Sequence, residues 1–176
     1  MTDTIVFTLT MVVRTAAGLV AAGLVALALA IAWTHPPLLQ APGIYARLKT
    51  YLTTNVAETR PEAVFPELRP RHYDITPAQL FTVVRAAVEH LAWDIHAIDA
   101  QRRTLHVVLK TRLWRFKDDV TIQVQASPKG NGVLYVRSAS RIGKADFGAN
   151  VRHILDLSRE VDKTLTLAGA DDATTR

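Results

Sequence analysis

The hydrophobic residues of this chain follow two different patterns, one continuous and one periodic. Residues 15–33 read TAAGLVAAGLVALALAIAW and carry no charged side chain. An apolar run of about 20 residues matches the hydrocarbon thickness of a bilayer. Beyond residue 70, apolar residues instead alternate with polar ones or recur at helical spacing. This contrast predicts a transmembrane helix followed by a folded domain.

The apolar run is bounded by Arg14 before it and by Pro36 and Pro37 after it. Two interpretations remain open. The one we favour is an uncleaved signal anchor over residues 1–33 with Arg14 at the cytoplasmic end, in a bacterial inner membrane with the rest of the chain outside the cytoplasm. The other is a cleaved signal peptide, because Ala30-Ile31-Ala32 has small-x-small spacing. The run is, however, longer than the roughly 7–15 residues of such peptides.

Residues 34–70 contain six prolines, which block the interior of helices and sheets. We expect a proline-rich juxtamembrane linker here. Within it, Tyr45 to Val56 has the spacing of one short amphipathic helix. Such a helix could lie on the lipid surface or dock on the domain. Residues 168–176 are predicted to be a flexible tail.

The pattern over residues 71–167 predicts a β-α-β-β-β-β-α order. Thr76-Pro77-Ala78-Gln79 has the residues of a capping box with proline at the first helical position. The strands that follow alternate apolar and polar residues, and the last segment has helical periodicity up to about Leu167. The expected fold is α+β: an antiparallel sheet of four to five strands with two helices on one face, similar to a helix-grip arrangement.

Two motifs in the second half of the chain carry most of its polar chemistry. They read TRLWRFKDDV (residues 111–120) and RSASRIGKADFGANVR (residues 137–152). With these motifs the chain resembles the bacterial and plastid family known as domain of unknown function 1499, over roughly Pro66 to Leu165. The resemblance implies no activity, since the family has no assigned function.

The acid pair and the arginines of these motifs suggest ion pairing between strands. Asp118 and Asp119 are adjacent, so they point to opposite faces of a strand. We expect one of them to face the core and pair with Arg137 or Arg141, and the other to be solvated. A bound anion between the two arginines is the alternative.

The serines and the Gly/Asp/Asn-rich corner, which runs from Gly143 to Asn150, offer a second kind of site. Ser138 and Ser140 share the strand face opposite the arginines, and a Ser/His/Asp site with His153 is a minor hypothesis. Asp146 is predicted to cap the last helix, although free N–H groups there with nearby cations would also form an anion-binding corner. The candidate site residues are Arg112, Asp118, Asp119, Arg137, Ser138, Ser140, Arg141, Gly143, Asp146, Asn150 and Arg152.

Charge and composition limit the classes of function. The chain carries a net charge of +5 and no cysteine, which excludes disulfides and thiolate chemistry. Residues 102–152 alone hold eleven basic and three acidic residues, a net charge of +8.

We expect no cofactor, no metal and no nucleic-acid partner. The first hypothesis is a non-enzymatic envelope module that binds an anionic lipid headgroup, an acidic polymer or an envelope protein. The alternative is a hydrolase or transferase acting at the Arg/Ser/Asp corner.

Overall fold

The computed structural model describes residues 2–110 and 116–174, and the chain forms two compact units, Met1–Pro36 and Pro37–Arg176. The first unit is one helix, α1 (Thr2–Thr34). Its stretch Val6–Ala30 has a mean hydropathy of 2.0 and none of it is buried inside the protein. The helix is therefore long and apolar enough to cross a membrane, a property that it shares with signal sequences.

The second unit is an α+β domain, as expected. Its elements are α2 (Ile44–Thr53), β1 (Val56–Glu58), a 3-10 turn (Pro66–Leu68), β2 (Arg71–Tyr73), α3 (Pro77–His90), β3 (Asp94–Asp99), β4 (Thr104–Lys110), β5 (Lys117–Ala126), β6 (Gly132–Ser140) and α4 (Ala149–Thr174). Helix α4 continues to Thr174, past the predicted end at Leu167. Thr76 begins α3 with both halves of the capping box in place.

The described strands form one antiparallel sheet in the order β1-β6-β5-β4-β3, with β2 also paired to β6. Helices α3 and α4 cover one face, and their apolar sides pack against the inward residues of the central strands. The fully buried core includes Leu80, Val84, Val88, Leu105, Val107, Val120, Ile122, Leu134, Val136, Ile154, Leu157 and Val161. The opposite face of the sheet carries mainly polar side chains.

The segment predicted as a linker is largely part of this domain. Helix α2 docks through Arg47 and Tyr51, which are both buried, and β1 pairs with β6. The prolines do not prevent this, because they stand in the turns around these elements rather than inside them. Pro42 precedes α2 and Pro61 follows β1. The domain therefore begins well before residue 71.

A buried arginine holds the linker segment in place. The Arg47 guanidinium donates to both Glu67 carboxylate oxygens, at 2.5 and 3.0 Å, and to the Ala41 carbonyl at 2.6 Å. It also donates to the Tyr51 hydroxyl at 3.0 Å and lies 4.6 Å from the centre of the Phe65 ring. A buried charge is tolerated only when it is paired and hydrogen-bonded, and Arg47 satisfies both conditions.

Candidate functional site

The two sequence motifs meet because β5 and β6 are antiparallel neighbours. Asp118 lies opposite Ser140, and Val120 lies opposite Ser138. The chain then turns at Gly143, which has a φ of +94°, and α4 folds back over the same face. Asn150 and His153 are thereby placed above the inward side chains of β5 and β6.

The acid pair is divided between the two faces of the sheet, as alternation requires. One aspartate pairs with Arg141 across neighbouring strands, as expected, but it is the outward Asp119 and not the core-facing residue. Asp118 is the inward residue, only 1% exposed, and it has no arginine partner among the described residues. Asp119 is half-exposed and accepts two hydrogen bonds from Arg141, at 2.8 and 2.7 Å. Arg141 lies on the outward face together with Asp119, where about half of its side chain is exposed. The ion pair lowers the pKa of Asp119 below its ordinary value.

Beneath α4 lies a buried polar cluster, formed by Asp118, Ser138, Ser140, Asn150 and His153. Its proton positions follow from donor and acceptor counting. The Asn150 amide nitrogen donates to the Asn55 carbonyl at 2.8 Å and to Ser140 Oγ at 3.0 Å. Asn150 Oδ1 is left to accept a hydrogen bond from the Ser138 hydroxyl at 2.5 Å. The single Ser138 proton is then used, so His153 Nδ1, 3.1 Å away, must be the donor to Ser138 Oγ.

The far side of the imidazole faces the buried carboxylate. His153 Nε2 lies 3.9 Å from Asp118 Oδ2, beyond hydrogen-bond distance. Among the described residues, Asp118 Oδ2 has no hydrogen-bond partner. Burial lowers the pKa of His153, against an opposing effect of the Asp118 charge. The Trp93 ring contacts the imidazole edge-to-face with centroids 6.1 Å apart, and it helps to fix the ring.

Three groups of a Ser/His/Asp site therefore meet, but their geometry is that of an internal network. A general base must accept the serine proton through the nitrogen that contacts the hydroxyl. By the donor count above, His153 donates to Ser138 instead, and Ser138 is 0% exposed. The described arrangement holds β6 to α4 and does not present a nucleophile to a substrate.

The corner before α4 is built around its cap. Asp146 accepts from the Gly148 N–H at 2.9 Å and from the Asn150 N–H at 3.0 Å. Burial raises the pKa of Asp146, and these two hydrogen bonds oppose the shift. Asp146 thus occupies two of the N–H groups that a bound anion would use. The side chain of Arg152 pairs along the helix with Asp156 at 2.9 Å.

Sequence reasoning missed Asn55, which links the corner to the end of β6. Its side-chain amide donates to the Ser140 carbonyl at 3.2 Å and to the Gly143 carbonyl at 2.6 Å. No local signal marks this residue, because it follows α2 in a segment that reads as linker. Its role depends on the pairing of β1 with β6.

The outward face of the sheet ends in a row of three cations. Lys110 lies directly opposite Lys117 across β4 and β5, and the Arg141 N–H donates to the Lys117 carbonyl at 3.0 Å. Only Arg141 has an acidic partner among the described residues. Lys144 follows in the exposed corner, and Arg137 lies further along β6 without an ion pair within the described parts of the chain. Arg112 falls in residues 111–115, outside the described residues.

The protein is of the α+β class. Two helices cover one face of its antiparallel sheet, a polar cluster lies under the second of them, and the N-terminal apolar helix is a separate unit. The family model described as Protein of unknown function (DUF1499) matches residues 42–161. The chain belongs to this family. The match begins in the α2 region rather than at Pro66, in agreement with the early start of the domain. The comparison with curated proteins found no match.

Proposed function

We propose that this protein is a membrane-tethered, non-enzymatic binding module. Its cationic row, which we define as Lys110, Lys117 and Arg141 together with the neighbouring Lys144, binds the anionic headgroups of lipids. Helix α1 supplies the tether. The observation that carries the proposal is the direct opposition of Lys110 and Lys117 on the outward face.

Like charges directly opposite each other across two strands destabilise a sheet. Asp119 forms an ion pair with Arg141 and also interacts electrostatically with Lys117, but no acid within the described residues forms an ion pair with Lys110, Lys117 or Lys144. All three lysines are exposed. A bound anion would remove the repulsion, and a polybasic surface close to a bilayer gains about 1 kcal/mol for each Lys or Arg near anionic lipid.

Two apolar side chains at the same end favour a lipid surface over a dissolved acidic polymer. Phe116 precedes Lys117 and is 43% exposed, and Ile142 follows Arg141 and is 62% exposed. Apolar side chains between cations suit the boundary between headgroups and acyl chains. A highly charged polymer in water offers them no such environment.

Lysine acylation in lipid nanodiscs tests this proposal. The full chain is reconstituted in zwitterionic and in anionic nanodiscs, and the modification rate of each lysine is read by mass spectrometry. Lys117 and Lys144 should react more slowly in anionic nanodiscs, and high salt should remove the protection. Lys129, exposed in the turn at the other end of β5, is the matched control and should react equally in both lipids. Equal rates for Lys117 and Lys144 in the two lipids would contradict headgroup binding.

Protection that occurs only in native membranes and is lost after reconstitution would assign the cationic row to a protein or polymer partner. That outcome would also reject the lipid proposal. Replacing both Lys117 and Lys144 with Gln should reduce the preference for anionic nanodiscs in a competition between the two lipids. The Lys129→Gln control should keep it.

A further inference from the structure

Helix α2 presents an apolar stripe that the described part of the domain does not cover. We define this stripe as Leu39 with the helix residues Ile44, Tyr45 and Leu52. Leu39 is 90% exposed, Tyr45 is 81%, Ile44 is 50% and Leu52 is 39%. The opposite side of the helix is docked through Arg47 and Tyr51. The uncovered side is therefore held rigidly in one orientation by the buried Arg47 contacts.

We propose that this apolar stripe lies in the interface of the bilayer that α1 spans, so that α2 is an interfacial helix. This inference rests on the membrane tether of the proposed function, but not on the cationic row. The occupant is a lipid surface and not a second protein, for reasons of chain length, of residue type and of position.

Chain length allows the stripe to reach the membrane. Helix α1 ends at Thr34, and Leu39 follows five positions later. A fully extended chain spans at most about 3.6 Å per residue, so Leu39 is within about 18 Å of the end of α1. A bilayer of about 40–45 Å with a hydrocarbon core of about 30 Å leaves interfacial layers only a few ångströms thick on each side. The stripe therefore begins close enough to the end of α1 to reach the interfacial layer of the bilayer.

Residue type agrees with this position. Tyrosine is enriched at membrane interfaces, where its ring reaches the acyl boundary and its hydroxyl stays with the headgroups. Lys49 is exposed on α2 next to Tyr45 and Leu52 and can extend its amine to the headgroups while its methylenes stay with the apolar residues. An amphipathic helix with this distribution lies in the plane of the interface.

The stripe also continues toward the cationic row. The Asp146 N–H donates to the Thr54 carbonyl at 3.1 Å, and the Asn55 side chain holds the Gly143 carbonyl. The C-terminal end of α2 therefore adjoins the corner that carries Ile142 and Lys144. Apolar contact through α2 and headgroup contact through the corner can occur on one surface.

Fluorescent labelling of single cysteines tests the inference. The chain has no cysteine, so Leu39→Cys or Tyr45→Cys in the full chain gives a unique site for an environment-sensitive dye. Thr82→Cys, on the exposed side of α3, is the matched control. In neutral phosphatidylcholine vesicles at high salt, the dyes at positions 39 and 45 should shift to shorter wavelength. They should be quenched by a lipid-borne quencher and shielded from a dissolved one. The dye at position 82 should show no shift, should not be quenched by the lipid-borne quencher and should be quenched by the dissolved one.

Each of the other outcomes contradicts either the α2 inference alone or the membrane tether as well. If the labelled chain floats with the vesicles but the dye at position 45 is as accessible to the dissolved quencher as that at position 82, the α2 inference is wrong while the tether stands. Shielding without quenching by the lipid-borne quencher would indicate contact with another protein, which also overturns it. If the chain does not float at all, the tether and thus the proposed function fail as well.

Discussion

Replacement of Asn150 with alanine tests whether the buried polar cluster is a structural network. Asn150 is fully buried and serves three partners, so the substitution removes the acceptor for Ser138 and the donor for both Ser140 and the Asn55 carbonyl. A buried polar group left without a partner costs about 1–3 kcal/mol. Ser138 is fully buried and keeps only the contact with His153, whereas Ser140 and Asn55 are half-buried and can recruit water.

The net loss of unfolding free energy should be about 2–4 kcal/mol. This figure includes the roughly 0.7 kcal/mol by which alanine, a better helix former than asparagine, offsets the lost hydrogen bonds. The assay is urea denaturation of the full chain in detergent, followed by circular dichroism. Arg152→Ala is the control on the same helix, because it removes only the half-exposed pair with Asp156 and should cost under about 1 kcal/mol. If Asn150→Ala costs no more than this control, the cluster does not hold β6 to α4 and the structural interpretation is wrong.

Three further outcomes are expected in the same assay. Arg47→Met should destabilise the domain by about 3–5 kcal/mol because it leaves the Glu67 carboxylate buried without its partner, and a small loss would show that Glu67 finds water. Gly132→Ala should cost about 1–3 kcal/mol, since its Cβ would lie 2.7 Å from Leu80 Cδ2, and a neutral effect would mean that Leu80 moves freely. Burial lowers the folded-state pKa of His153, so the unfolded state binds more protons and unfolding free energy should fall as pH drops below about 6.5. His153→Asn should reduce this dependence, and an unchanged pH profile would contradict the assignment.

The ion pair on the outward face should contribute less to the stability of the fold than the sequence led us to expect. A semi-buried pair of Asp118 or Asp119 with an arginine would have made either aspartate important for stability. The observed pair, Asp119 with Arg141, is half-exposed on both sides and is therefore worth about 1 kcal/mol or less. The larger stability effect should come from the inward cluster instead.

The sequence alone determined the local features. The apolar run over residues 15–33, the capping box at Thr76 and the alternation along β6 each depend on residues close together in the chain. Backbone geometry makes side chains repeat every 2 residues along a strand and every 3.6 residues along a helix. For this reason the α+β class, the element order from β2 onward and the division of the arginines and serines between two faces were all predictable.

Only the tertiary structure decided which of these groups meet. Asp119 rather than Asp118 pairs with Arg141, and His153 reaches Ser138, because register and the crossing of α4 bring together residues far apart in sequence. The burial of Arg47 and the pairing of β1 were equally hidden in a segment rich in proline. A three-residue strand and a lone buried charge leave no periodic signal, since their free energy comes from distant partners and not from their neighbours in the chain.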